Sequence, residues 1–328
     1  MKTQYLVFPG KGRCDVVSAE LPPVKENEIA VKNILSQVSA GTELSLFNRT
    51  HRGIDVPSFG WAKYPFKPGY AAVGEIIECG AGVKDFKAGD IVFHQGSHAT
   101  VSVVDATGKV IRLPKGMTPD VGVFFALTEI AMTAPRVAPV GFGETVVVVG
   151  MGAVGNLAAQ LCKRSGARRV AGADLSAKRL KNALDCGAID MALNVKEKPL
   201  ADQTAALGGG GAELIIEAVG ASASIDSCLK AVAVGGRVVL LGSPRSNMEF
   251  DPYFDVHRKA SHIIGGHGNG VSAAQRMRDR EFIMAMLGDG RINVAPMITD
   301  RLAYSKAQSA YELLRDDPDN HITIMLTY

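Results

Sequence analysis

The run Gly150-Met151-Gly152-Ala153-Val154-Gly155 constrains this chain more than any other stretch. It follows the apolar run Thr145-Val146-Val147-Val148-Val149 and opens a helical pattern over 156–165. A strand before this glycine spacing and a helix after it make the signal specific, where the spacing alone is weak. Gly150 permits the tight strand-to-helix turn, Gly152 lets backbone approach a pyrophosphate, and Gly155 lets helix and strand pack closely. Ala153 and Val154 open the helix, where free N–H groups attract an anion. Asp174 closes a second strand pattern over 169–173, where a carboxylate accepts hydrogen bonds from ribose hydroxyls and repels a 2′-phosphate. The stretch reads as a dinucleotide site that prefers NAD to NADP.

At 328 residues the chain exceeds one small core, and the usual roughly 100–200 residues per domain implies two domains. A net charge of +3 and the lack of any Lys/Arg block exclude a nucleic-acid footprint. No run of about 18 apolar residues is present, so no membrane span is expected. The start of the chain enters a strand pattern directly and lacks a signal-peptide cleavage region. Cys14, Cys79, Cys162, Cys186 and Cys228 are scattered without a C-x-x-C, so buried reduced thiols and a cytoplasmic location are expected.

Residues 1 to about 120 read as β-rich, with short apolar strands at 29–32, 71–77, 91–93 and 99–103 separated by glycine and proline turns. Such a texture predicts a barrel or sandwich. From about 123 to 265 strands and helices alternate, which predicts a parallel sheet with right-handed crossovers. The candidate strands are 145–149, 169–173, 189–192, 213–217, 236–241 and 262–265. Gly208 to Gly211 reads as a flexible connector, and helices at 272–287 and 303–315 precede a final strand at 321–326.

Gly69-x4-Gly74, Gly80-Ala81-Gly82-Val83 and Phe86-Lys87-Ala88-Gly89-Asp90 resemble the signature of medium-chain dehydrogenase/reductases. The likeness continues through Leu113-Pro114-Lys115-Gly116, the glycine run, Glu217-Ala218-Val219-Gly220 and Gly235-Gly236-Arg237-Val238, in order along the whole chain. The resemblance implies an α/β fold with a GroES-like β-barrel catalytic domain, 1–122 and 267–328, and a doubly wound Rossmann NAD-binding domain, 123–266. It also implies a homodimer, through edge-strand pairing of the Rossmann sheets. For the cofactor it implies Gly150, Gly152, Ala153, Val154, Gly155, Asp174, Arg179, Val219, Gly220, Leu241 and Gly242, with backbone at His262 and Ile264 holding the carboxamide.

Where zinc members of that family carry Cys-Gly-Thr/Ser-Asp, this chain has Ala40-Gly41-Thr42-Glu43, and where they carry Gly-His-Glu it has Gly69-Tyr70-Ala71. Alanine and tyrosine supply neither thiolate nor imidazole, and catalytic Zn²⁺ needs three N, S or O ligands. The four-cysteine lobe expected near 94–100 is replaced by His94-Gln95-Gly96-Ser97-His98. His94 and His98, four apart on a turn or strand end, are not preset for one metal, so no metal is expected. The resemblance thus implies a zinc-independent member.

An alcohol of pKa near ~16 still needs a base when its hydride leaves. The expectation is Tyr70 or Glu43 as the proton-transfer group, with Thr42 orienting the substrate hydroxyl and Lys67 lowering the phenol pKa by its charge. His51, Lys67, His94 and His267 are candidate substrate contacts. The segment from Arg49 to Lys67, rich in basic and aromatic residues, suits a polar ring or sugar. The first reading is an NAD-dependent polyol, sugar or cyclitol dehydrogenase acting on a small molecule. The Ser39–Glu43 run with Pro68-Gly69-Tyr70 is similar also to the bacteriochlorophyllide dehydrogenase subgroup. The alternatives are a quinone or enoyl reductase, against which Asp174 argues, and a dinucleotide-binding protein without catalysis.

Overall fold

The computed structural model describes residues 1–207 and 210–328; Gly208 and Gly209 of the expected connector lie outside the described residues. The strands in chain order are β1 (Lys2–Gly10), β2 (Arg13–Glu20), β3 (Glu28–Gln37), β4 (Ala72–Cys79), β5 (Ile91–His94), β6 (Val101–Asp105) and β7 (Val110–Arg112). They continue with β8 (Thr145–Val149), β9 (Arg169–Asp174), β10 (Met191–Asn194), β11 (Ala212–Glu217), β12 (Val232–Leu240), β13 (His262–Gly265), β14 (Ile298–Ala303) and β15 (Thr323–Thr327). Two compact units form: Met1–Ala126 with Met284–Asp289 and Ile298–Tyr328, and Leu127–Ile283 with Gly290–Met297.

In the first unit β1 and β2 make an antiparallel hairpin, and the larger sheet runs β14-β15-β3-β4-β5-β7, with β6 also paired to β3. The long β3 carries three neighbours because β4 pairs along most of it while β6 pairs at 28–32 and β15 at 35–37. Ile29 and Val31 meet Ile76 and Val92 inside the barrel. A second cluster gathers Leu6, Phe8, Phe47, Tyr311 and Ile324.

In the second unit six parallel strands run β10-β9-β8-β11-β12-β13. Counted from β8 this is the order 3-2-1-4-5-6 of doubly wound dinucleotide-binding sheets. All five residues of β8 are buried, as its β-branched run requires of a central strand covered on both faces. Helices Ala153–Arg164, Ala177–Asp185 and Ser222–Ala231 cross over between strands. The fold class expected from the sequence is the fold observed.

Two local readings differ. The helix expected over 303–315 begins only at Ala307; Ile298–Ala303 is instead β14, alternating half-buried and exposed, and pairs with β15. The helix Ala273–Gly288 lies mostly in the second unit, against an expected return to the barrel at 267. Arg136 Nε donates to Asp279 Oδ2 at 3.0 Å, and Asn293 N–H donates to Gln160 Oε1 at 2.7 Å, which ties Asp279 and Asn293 to that unit.

Candidate active site

In the first unit the chain leaves β3 and turns through Ser39 into the short helix Thr42–Phe47. Thr42 N–H donates to Ser39 Oγ at 3.3 Å, and Ser45 O–H donates to the Thr42 carbonyl at 2.7 Å, so hydroxyls hold the start of this helix. Glu43, in its first turn, is only 1% exposed. Its Oε2 accepts from Tyr311 O–H at 2.6 Å and lies 3.0 Å from His98 Nε2, while Oε1 has no partner among the described residues.

Packing aims the Tyr311 hydroxyl. Its ring stacks on Phe47 at 5.2 Å and meets Phe8 edge-on at 4.9 Å. His98 is placed by its backbone: its N–H donates to the Pro68 carbonyl at 2.9 Å and its carbonyl accepts from Leu6 N–H at 3.0 Å. This approach needs Gly69, whose φ is +109° and whose added Cβ would stand 2.2 Å from His98 N. His98 Nδ1 lies 2.7 Å from Ser36 Oγ, which lies 2.8 Å from the Tyr328 hydroxyl.

Tyr70 donates to Ser39 Oγ at 2.8 Å. Burial, and then the Glu43 charge, push its phenol well up, against hydrogen bonds with Ser39 and Thr42. The phenol is therefore a proton donor at neutral pH. The expectation that Lys67 lowers it is corrected: Lys67 is exposed and its ammonium sits 4.3 Å over the Tyr5 ring. His94 is corrected as a substrate contact. It is wholly buried, its Nε2 lies 2.7 Å from Asn33 Oδ1, and its Nδ1 accepts from Gly96 N–H at 3.0 Å. Burial pushes it down to about 4, so it is a neutral core residue. His51 is half-buried; its Nδ1 accepts from Gly53 N–H at 3.0 Å and its ring meets Trp61 edge-on at 5.0 Å.

In the second unit the glycine run leaves β8, and Gly152 caps a helix whose N-terminus has no side-chain acceptor. An added Cβ on Gly155 would stand 1.8 Å from the Gly150 carbonyl oxygen, whereas one on Gly152 would meet nothing within 4 Å. The first glycine closes the turn against the helix, and the other leaves open space for a ligand. Asp174 Oδ2 accepts from Met151 N–H at 2.7 Å and Oδ1 from Ser176 N–H at 2.8 Å. A carboxylate has about four lone-pair sites, so acceptors remain for ribose hydroxyls. Arg179 donates its backbone N–H to Ser176 Oγ at 3.4 Å, in the cap of the helix Ala177–Asp185.

Glu217, at the end of β11, holds the next loop. Its Oε1 accepts from Val219 N–H and Gly220 N–H, each at 2.9 Å, and from Ser224 O–H at 2.7 Å. Burial raises its pKa, opposed by these same bonds. Leu241 and Gly242 in turn donate their N–H groups to the Glu217 carbonyl at 2.9 and 2.8 Å. Val219-Gly220 and Leu241-Gly242 are thus drawn together at the ends of adjacent strands. Ile264 sits on β13, and His267 is exposed, its Nδ1 accepting from Asn269 N–H at 3.1 Å. The roles of Ser36, His98, Tyr311 and Tyr328 escaped the sequence reading, since nothing in their spacing joins them. Glu217 stood in a quoted motif, but its grip on the loop is visible only in three dimensions.

The donors near Glu43 do not suit a zinc ion. Glu43 Oε2 and both nitrogens of His98 are engaged in hydrogen bonds, as are both nitrogens of His94. Among the described residues no three His, Cys, Asp or Glu side chains gather to hold a metal. No helix among the described residues is long and apolar enough to cross a membrane.

Residues 153–281 match the family described as zinc-binding dehydrogenase. The D-guloside 3-dehydrogenase of Escherichia coli (strain K12) is 27% identical over 338 residues, covering 95% of this chain and 96% of that protein. The L-threonine 3-dehydrogenase of Bacillus licheniformis is 26% identical over 342 residues, covering 94% of each. The solved galactitol-1-phosphate dehydrogenase from Escherichia coli shares the fold, with a TM-score of 0.86 at 20% identity over 99% of this chain and 100% of that one. Along its whole length this chain is similar to dehydrogenases, and it has their two-part fold.

Proposed function

We propose that this chain is a zinc-independent, NAD-dependent dehydrogenase that oxidises a secondary alcohol of a polyol, sugar, cyclitol or other ring-bearing small molecule to a ketone. The observation that carries the reading is the buried carboxylate of Glu43, one oxygen unpartnered, in the same short helix as Thr42. Two similar proteins are 3-dehydrogenases of hydroxylated substrates by name, which supports the reaction class.

The open Gly152 approach and the uncapped helix N-terminus suit a pyrophosphate, and Asp174 suits ribose hydroxyls, so the residues fit NAD. When bound, NAD supplies the hydride acceptor at nicotinamide C4. Thr42 orients the alcohol oxygen. Glu43 takes the hydroxyl proton, and Tyr70, whose hydroxyl donates to Ser39 Oγ, braces the turn that carries Thr42. The half-exposed ring of Trp61, edge-on to His51, offers an apolar face to a sugar ring.

The test is the rate of NADH formation with glycosides, hexitols, cyclitols and 2,3-butanediol, beside NADPH oxidation with quinones. Glu43→Gln should lower kcat by about 100-fold or more, and a chelator should leave the wild-type rate unchanged. Asp174→Ser should erode the preference for NAD over NADP. Undiminished turnover in both Glu43→Gln and Tyr70→Phe, or loss on chelation restored by zinc, would sink the reading.

A further inference from the structure

The two oxygens of Glu43 are unequal. Oε2 has Tyr311 O–H at 2.6 Å and His98 Nε2 at 3.0 Å, while Oε1, equally buried, has nothing. A buried acceptor without a donor is costly, so such an atom points to a ligand proton. Beyond His98 the contacts run on through Ser36 Oγ at 2.7 Å to the Tyr328 hydroxyl at 2.8 Å. With a neutral imidazole the protons have one consistent arrangement. Tyr328 O–H donates to Ser36, Ser36 O–H donates to His98 Nδ1, and His98 Nε2–H donates to Glu43 Oε2. Each group then spends its one proton once.

We propose that Tyr328, Ser36, His98 and Tyr311 form a positioning array that fixes Glu43 through Oε2 and leaves Oε1 as the acceptor of the substrate proton. This rests on the dehydrogenase reading. With NAD bound as hydride acceptor, the carbinol C–H pair would leave as hydride and the O–H pair would become the second C–O bond, while Oε1 takes the proton in a new O–H bond. The other titratable groups that act on Glu43 are held protonated. Burial pushes Cys14 up to about 12, and burial likewise raises the Tyr70, Tyr311 and Tyr328 phenols. His98 and Tyr311 are positioning residues, acting on the substrate only through Glu43.

The donors on Oε2 fix the direction of Oε1, so removing one should lower kcat more than it raises KM. In Tyr311→Phe and in His98→Asn, whose shorter amide stands in for Nδ1 rather than Nε2, kcat should fall by about 10-fold with KM little changed. Ser36→Ala, acting one step further away, should give a smaller loss. Thr107→Val, which removes an exposed hydroxyl bonded to Asp105 outside the array, should give none. An unchanged kcat in both Tyr311→Phe and His98→Asn overturns the array. A second readout needs no turnover: ¹⁵N spectra of the His98 imidazole at pH 8 should show Nε2 protonated and Nδ1 bare, altered in Glu43→Gln. A proton on Nδ1 with Nε2 bare, or an imidazole indifferent to Glu43→Gln, also overturns it. If no alcohol is oxidised at all, the dehydrogenase reading falls while the spectra still judge the array.

Discussion

Gly152 and Gly155 should answer differently to the same added methyl group. At Gly152 the new Cβ meets nothing within 4 Å and φ is −70°, so Gly152→Ala should change folding stability by less than about 1 kcal/mol. It should nonetheless weaken NAD binding at least ~10-fold, because backbone approach to the pyrophosphate is what the open space serves. At Gly155 the Cβ would stand 1.8 Å from backbone, and Gly155→Ala should cost about 2 kcal/mol or more. Calorimetry and NAD titration of both variants check this; equal stability losses, or wild-type binding by Gly152→Ala, would refute it. These glycines and Asp174 were readable in sequence because strand, turn and helix are consecutive there. Lys67 was not: it stands three positions before Tyr70 in the chain, but its ammonium lies over the Tyr5 ring instead.

At the scale of elements, strand ends carry the second unit's loops. Glu217 closes β11 wholly buried and takes donors from Val219, Gly220 and Ser224. Glu217→Ala leaves these donors without their acceptor, so folding stability should fall by about 2–4 kcal/mol. Amide exchange at 219 and 220 should accelerate ahead of β8 and β9. Urea unfolding with hydrogen-exchange mass spectrometry measures both, and unchanged protection at 219–220 would show that the loop is held by other means. The sheet itself was legible, since short β-branched runs such as 145–149, closed by a glycine turn, favour a strand covered on both faces. β14 was not. Its alternating Ile298–Ala303 is decided by pairing with β15, which stands some two dozen residues later in the chain.

For the molecule as a whole, His94 ties stability to pH. It is wholly buried and pushed down to about 4, whereas an unfolded histidine titrates near ~6.5. Between those values the unfolded chain binds more protons, so stability rises with pH across the window and is lost as pH falls through it. The loss from this group between pH 7 and pH 5 is about 2 kcal/mol. Urea denaturation at the two pH values should show His94→Gln losing less than wild type by roughly that amount; parallel losses would show that His94 is not the group involved.

The sequence by itself determined the dinucleotide turn, the succession of a β-rich and an alternating region, and the presence of Ala40 and Tyr70, which carry neither thiolate nor imidazole. All of these lie in short contiguous runs whose periodicity and side-chain chemistry act locally. Tertiary structure alone decided which histidine stands by Glu43. Ser36 and Glu43, His98, and Tyr311 and Tyr328 come from three separated stretches of the chain, and only the fold of the first unit, with Gly69 against His98 and Tyr311 stacked on Phe47, brings them into one hydrogen-bonded array.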